Sequence, residues 1–135
     1  MKRLLFLPFT AVLLPPALCA QSADADIERT LLAAPASLRA EATILELHPD
    51  GSTAVLRKGS NDLICWDNED RPGQMAPFDI QCTAKANRPR LEQNHAFESA
   101  GGTVAEILAR FERAEADGIR ALSVWGSIYY HVYGA

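Results

Sequence analysis

The sequence has few of the residues that carry chemistry in small proteins, with three cysteines and three histidines among 135 residues. No histidine stands in an HxH, HExxH or HxxxH pattern, so the usual spacings of a metal site are absent. There is no GxSxG motif, and no lysine follows the glycine pair Gly101-Gly102 as it does in a phosphate-binding loop. The sequence therefore predicts no catalytic residue, no metal and no cofactor.

Extremes of composition are also missing. The chain is 48% apolar, 22% charged and 7% aromatic, which excludes a wholly disordered acidic chain, a collagen-like fibre and a coiled coil. The formal net charge is −4, and Lys2 and Arg3 are the only charged residues among the first twenty. The remainder is thus more acidic, at about −6. An acidic surface repels phosphate backbones, so we expect no nucleic-acid partner.

The first twenty residues read as a targeting segment. Lys2 and Arg3 precede an apolar run, Leu4–Leu14, which Pro15 and Pro16 interrupt before the small residues that end at Ala20. This run is much shorter than the roughly 20 residues that span a bilayer. We therefore predict a signal peptide over 1–20 and a single α+β domain over 21–135.

Two alternatives remain at this end of the chain. Cleavage could instead follow Cys19 or Ala23, and Cys19 could carry a lipid, although Leu18 is large for the position before a lipidated cysteine. No second apolar run of spanning length follows. We expect an exported protein, periplasmic or secreted, with no transmembrane segment in the mature chain.

Removal of the leader leaves only Cys65 and Cys82. Two cysteines in a small exported chain are expected to pair, and closing this loop of 17 positions is worth roughly 3 kcal/mol. A redox or metal role is the alternative, but the two lack the CxxC spacing and have no flanking histidine. A disulfide fits the sequence better.

Hydrophobic periodicity divides the mature chain into helices and strands. The Pro49-Asp50-Gly51 turn predicts a β-hairpin, and Thr103-x-x-Glu106 is a capping box that begins a helix. The predicted helices cover 21–33, 88–100 and 103–117; the predicted strands cover 42–47, 53–58, 63–66, 78–83 and 121–133. We expect a small, mostly antiparallel sheet of four or five strands with two or three helices packed on one face.

The predicted final strand carries the most suggestive side chains. Strict alternation would place Trp125, Tyr129, His131 and Tyr133 on one face, where they could stack a sugar or planar ligand or dock a partner. The simpler interpretation is that helices cover this face and the aromatic residues are core. These four residues are the candidate ligand-binding site.

Other charged and titratable residues have ordinary explanations. His95 and Glu98 share a helix face at a spacing that suits acid–base chemistry, but with no third group beside them a solvated helix face is the better explanation. The acidic residues Asp62, Asp67, Glu69 and Asp70 lack the pattern of a calcium loop. We expect both groups to lie on the solvated surface.

The segment LRKGSNDLICWDNED…PFDIQC resembles a group of short exported bacterial proteins. The shared features are a hairpin, a Gly-Ser/Thr-Asn turn (Gly59-Ser60-Asn61) and two cysteines, here Cys65 and Cys82. The resemblance covers about residues 36–90 and implies export and a disulfide. No activity is assigned to that group, so no functional residue follows from it.

The sequence thus favours a non-enzymatic exported domain that binds an unknown protein or small molecule. The alternative is a small periplasmic hydrolase that uses His95 or His131 with an acidic neighbour, and a purely structural envelope component is a third. A histidine meeting a carboxylate in a concave pocket would favour the enzyme. An open apolar or aromatic surface would favour the binding protein.

Overall fold

The computed structural model describes residues 17–69, 76 and 78–134. The predicted leader therefore lies largely outside the described residues, as does most of the polar loop before β4. The elements in chain order are α1 (Ala17–Thr30), β1 (Thr43–Leu47), β2 (Thr53–Arg57), β3 (Leu63–Asp67), β4 (Phe78–Ala84), α2 (Arg88–Ser99), α3 (Val104–Ala116) and β5 (Tyr130–Gly134). Short 3₁₀ turns occupy Leu31–Ala33, Arg39–Glu41 and Lys85–Asn87.

The five strands form one sheet in the order β2-β1-β3-β4-β5. Neighbouring strands are antiparallel except for β1 and β3, which run parallel. The predicted hairpin is confirmed: Gly51 occupies the left-handed region at φ +87° and donates its N–H to His48 O at 3.0 Å. The α+β class with one disulfide is also confirmed.

The link from β2 to β3 must cross the start of β1, because β1 lies between the two strands. Gly59 makes this crossing. A Cβ on Gly59 would lie 2.1 Å from Glu41 O and 2.4 Å from Ala42 C, distances that no side chain tolerates. Asn61 fixes the link by donating its Nδ2–H to Leu38 O at 2.8 Å and accepting from Leu63 N at 2.9 Å. Steric exclusion of a side chain thus explains the glycine of the Gly-Ser-Asn turn.

The disulfide joins directly opposed residues of β3 and β4. Cys65 pairs with Cys82 in the antiparallel register, and their Cα atoms are 4.1 Å apart. Both cysteines are completely buried. The predicted disulfide therefore ties the two strands to each other along their length.

One face of the sheet, which we call the disulfide face, carries Ile44, Cys65, Ile80 and Cys82. The end of α1 and the 3₁₀ turn after it cover this face through Ile27, Leu31 and Ala34. None of the described helices is long and apolar enough to cross a membrane.

The opposite face, which we call the cleft face, carries Leu45, Ile64 and Trp66, and α2 packs on it through Leu91. The helices are therefore divided between two faces rather than gathered on one. Every residue of β3 from Leu63 to Trp66 is buried as a result, and such a continuous apolar run is typical of a strand covered on both sides.

The helix α3 packs against α2 rather than against the sheet. Its predicted capping box is present: Thr103 accepts from the Glu106 backbone N–H, and the Glu106 carboxylate accepts from Thr103 N at 2.6 Å. The rings of Phe97 and Phe111 meet between the two helices at 5.7 Å. These contacts form a second layer outside α2.

The prediction of a strand over 121–133 is wrong for its first nine residues, since β5 begins at Tyr130. Side chains of α2 and of the 3₁₀ turn before it accept hydrogen bonds from backbone N–H groups of this stretch. A strand would need those N–H groups to pair with its neighbour. Val124 N donates to Asn87 Oδ1 at 2.7 Å, and Ala121 N donates to Gln93 Oε1 at 2.9 Å. Gly126 then turns the chain at φ +75°.

Candidate ligand-binding cleft

A cleft lies between the cleft face of the sheet and α2, with a volume of about 50 Å³. The sheet supplies Trp66, Asn68 and Gln81 to its lining, and Tyr129 closes it from the segment before β5. The helix supplies Asn94, His95 and Glu98, and leucines complete the wall. Aromatic and polar side chains therefore meet in one concavity, which is smaller than the usual site for a whole small molecule.

The expectation that His95 and Glu98 lie on a solvated face is wrong. His95 is 4% exposed and Glu98 is 8% exposed. With Leu91 they follow the i, i+4, i+7 spacing of the stripe that α2 turns toward the sheet. Polar residues thus occupy positions that an ordinary amphipathic helix would give to apolar ones.

The backbone partner of His95 shows which ring nitrogen carries a hydrogen. His95 Nε2 lies 2.7 Å from His48 O, and a carbonyl oxygen only accepts, so Nε2 carries the hydrogen. In the neutral ring Nδ1 is then an acceptor. Within the described part of the chain, Nδ1 is buried and has no hydrogen-bond partner. Buried acceptors without partners are costly, and this nitrogen has essentially no surface open to solvent in the described structure.

A second polar cluster lies beside the cleft, around Asp79 on β4. Asp79 Oδ1 accepts hydrogen bonds from Asn68 Nδ2 at 3.1 Å, Gln81 Nε2 at 3.0 Å and His131 Nε2 at 2.8 Å. Burial raises the pKa of Asp79, but these three hydrogen bonds and the charge of His131 outweigh burial and hold the pKa below its ordinary value. The carboxylate is therefore ionised and fixed in place.

Hydrogen bonds and ring contacts connect this cluster to the cleft. The indole N–H of Trp66 donates to Asn68 Oδ1 at 3.1 Å. Tyr129 presents its ring edge-on to Trp66, with 6.5 Å between ring centroids. Since Asn68 also binds Asp79, a continuous row of partners extends from Tyr129 through Trp66 and Asn68 to the aspartate.

The structure separates the four residues predicted as one site. Tyr129 lines the cleft, and the rings of His131 and Tyr133 lie 5.6 Å apart on β5. Trp125 lies in the preceding turn and is 98% exposed. Tyr129 and Tyr133 are 48% and 54% exposed, so the interpretation of these aromatic residues as core is wrong.

Sequence reasoning missed Asp79, Gln81 and Trp66 as site residues, although it predicted the strand over 78–83 that carries the first two. The signal was the alternation of β4, which sets Asp79 and Gln81 opposite the apolar Ile80 and Cys82. No sequence pattern showed that β5 would bring His131 against Asp79.

The acidic residues before β4 do not form a site in the described chain. Arg29 binds Asp67 at 2.6 Å and Glu69 at 3.2 Å, which accounts for both carboxylates. Asp70 lies outside the described residues. Across 17–69, 76 and 78–134, no three His, Cys, Asp or Glu side chains are grouped to hold a metal ion.

Comparison with known proteins identifies no relative of this chain. The chain matches no protein-family model, no curated protein and no solved structure. The resemblance around Gly59 and Cys65 therefore stays a prediction, and the function has to be argued from the site.

Proposed function

We propose that this protein is an exported, non-enzymatic domain that binds a small ligand in the cleft between the sheet and α2. The observation that carries the proposal is the cleft itself, which is walled by Trp66 and Tyr129 and whose lining includes the polar side chains of Gln81, Asn94 and the buried His95.

The size and chemistry of the cleft restrict the ligand. A water molecule takes about 30 Å³ in the liquid, so 50 Å³ holds a small head group rather than a whole sugar or nucleotide. Gln81 and Asn94 bring amide groups to the lining, and a hydroxyl or an amine can pair with an amide. Tyr129 is half-exposed and lines the same cleft, so the rest of the ligand can rest on its ring.

The test is a titration of the purified protein with neutral monosaccharides and short primary amines, followed by NMR chemical shifts. We expect one of these classes to shift the indole N–H signal of Trp66. Tyr129→Ala should weaken that binding about tenfold or more, because it removes one wall of the cleft. Tyr133→Ala is the matched control, since Tyr133 is equally exposed but does not line the cleft.

Absence of any shift at Trp66 across both classes would overturn the proposal. Binding that Tyr133→Ala weakens and Tyr129→Ala does not would place the ligand on β5 instead of in the cleft.

Export is supported by the pattern of residues 1–20 and by the buried Cys65–Cys82 bond, which forms and persists in oxidising compartments. The helix α1 begins at Ala17, so cleavage after Ala20 would remove its first turn and leave the part that covers the disulfide face. The mature domain would then keep its core.

A hydrolytic enzyme is the second candidate, favoured by one observation. His131 Nε2 donates to Asp79 Oδ1 at 2.8 Å, the orientation in which a carboxylate holds a histidine for acid–base work. Nδ1 of the neutral ring is then the basic atom. Hydrolysis of ester, amide or glycoside model substrates that His131→Gln abolishes and His48→Gln preserves would establish this activity over simple binding.

A further inference from the structure

The last part of the chain, residues 121–134, contains no Asp, Glu, Lys, Arg or Pro, although charged residues make up 22% of the protein. We call it the charge-free segment because it lacks these residues; its one titratable imidazole is that of His131, which binds Asp79. Much of its apolar surface is exposed: Trp125 is 98% exposed and Leu122 is 86% exposed, and Ile128, Tyr129 and Tyr133 are exposed as well. A contiguous run of this kind on a soluble domain marks a surface that another molecule covers.

The segment ends in β5, which is an edge strand. In the described chain β5 pairs with β4 on one side and with no strand on the other. Natural proteins protect open edges with charged residues, prolines or bulges, because unpaired backbone groups invite another strand. Residues 121–134 contain no Asp, Glu, Lys, Arg or Pro, so these means of protecting the edge are missing.

The other edge of the sheet is protected. The strand β2 ends in Arg57 and is followed by Lys58, and the pairing of β1 with β2 shifts register between Ile44 and Leu45. Arg57 bends over the strand end to donate to Arg39 O at 2.6 Å and Ala42 O at 3.0 Å. The contrast between the two edges indicates that the β5 edge is kept open for pairing.

A groove of about 300 Å³ continues the apolar surface at the start of β5. Its lining includes Ile128 and Tyr130 from this segment and Leu38, Leu63 and Ala84 from the rest of the domain, with Asn61 and Asp62 as its polar members. The groove is large enough for an apolar side chain, and the exposed Trp125 precedes it in the same segment. A protruding ring and a groove on one surface suit a contact in which each copy offers both.

We propose that the β5 edge and the charge-free segment form the contact between two copies of this chain. A second copy fits better than a different protein for two reasons. An antiparallel pair of identical edge strands is self-complementary about a two-fold axis. In addition, the chain is acidic, whereas residues 121–134 carry no carboxylate and the groove brings in only that of Asp62, so two copies repel each other less here than over the rest of the surface. Tyr129 belongs both to this segment and to the lining of the cleft, so the contact and the proposed ligand share that one side chain.

The experiment is sedimentation velocity of the purified, oxidised protein over a concentration series from about 1 to 100 μM, a range that brackets a micromolar dissociation constant. We expect a monomer–dimer equilibrium. Val132→Lys places a charge on β5 and should weaken the dimer about tenfold or more. Val55→Lys places the same charge on the exposed edge strand β2 and should leave the dimer unchanged.

Circular dichroism and thermal unfolding check that the variants fold. If Val132→Lys does not fold, Trp125→Ser takes its place, because a side chain that is 98% exposed contributes little to the monomer. A monomer at every concentration overturns the proposal. A dimer that both β5-side variants leave intact, or that Val55→Lys disrupts equally, overturns it too.

Discussion

Asp79 on β4 and His131 on β5 are joined across the two strands, with 2.8 Å between Asp79 Oδ1 and His131 Nε2. The residues are not directly opposed in register, since Asp79 faces Tyr133 and His131 faces Gln81. The bond is therefore diagonal, and Gln81 donates to the same carboxylate oxygen. This arrangement attaches the edge strand to the sheet through side chains as well as through its backbone.

The first prediction concerns acid stability. The folded pKa of Asp79 is lower than its ordinary value of about 3.9, so its contribution to the free energy of unfolding is complete above that value. The contribution is lost as the pH falls through the lowered folded pKa. Urea unfolding between pH 7 and pH 2 should show the wild-type protein losing its advantage over Asp79→Asn below about pH 4. A constant difference down to pH 2 would contradict the assignment.

The second prediction concerns the strand crossing. Gly59→Ala should destabilise the fold by about 3 kcal/mol or more, because the new Cβ would collide with the backbone of Glu41 and Ala42. Gly134→Ala is the control, since a Cβ there meets no atom within 4 Å, and its cost should stay within about 0.5 kcal/mol. Chemical denaturation measures both. Equal stability of the two variants would refute the steric argument.

The third prediction concerns the disulfide. Replacing both cysteines with alanine should lower the free energy of unfolding by roughly 3 kcal/mol, as expected for a closed loop of this length. Because Cys65 and Cys82 are fully buried, the native protein should also resist mild reductants until it unfolds. Thiol labelling at increasing urea tests this second point. Rapid labelling of the native protein in reductant would show that the bond is accessible.

The fourth prediction concerns Arg120, whose side chain is only 6% exposed. Its guanidinium donates to Gln93 Oε1 at 2.7 Å and lies 4.7 Å from the ring centroid of Phe111. Burial lowers the pKa of Arg120, as does the charge of Arg90, while Glu115 and Glu98 oppose this. Arg120→Lys keeps the charge but loses the planar contacts, and should cost about 1–3 kcal/mol. Thermal unfolding checks it; Arg113→Lys on exposed helix surface serves as the comparison.

The fifth prediction concerns processing. Mass spectrometry of the exported protein should find a chain that begins at Gln21 and carries no lipid, because the basic start and short apolar run of 1–20 are typical of a cleaved leader. A mass that includes residues 1–20 would contradict export by this route. A lipid on Cys19 would instead place the domain on a membrane surface.

Local chemistry made much of this fold predictable. The turn at Gly51, the capping box at Thr103 and the alternation along β4 each depend on residues close in sequence, and each is present. The predicted final strand is too long because the groups that prevent it are distant in sequence. Asn87 and Gln93 accept hydrogen bonds from the backbone that periodicity assigns to a strand. Local patterns contain no information about such partners.

The candidate site was predictable only in part, for the same reason. Tyr129, His131 and Tyr133 were singled out by alternation, but what they contact was set by the placement of β5 beside β4. His95 was misjudged because a histidine on a helix with few apolar residues looks solvated. Its burial becomes clear only once α2 lies on the sheet beside Trp66.

The strand order also sets the sequence of events in folding. The pairing of β1 with β2 is local, whereas β4 and β5 meet across about 50 residues, so the hairpin should form early and β5 should add late. An edge strand held on one side is also the first to detach, and its amides should exchange fastest with solvent. His131 leaves Asp79 whenever β5 detaches, while the strands β3 and β4, bound by the disulfide, remain paired. The pairing of β5 with β4 therefore controls both whether the sheet has its fifth strand and whether the aromatic side chains of β5 are in place.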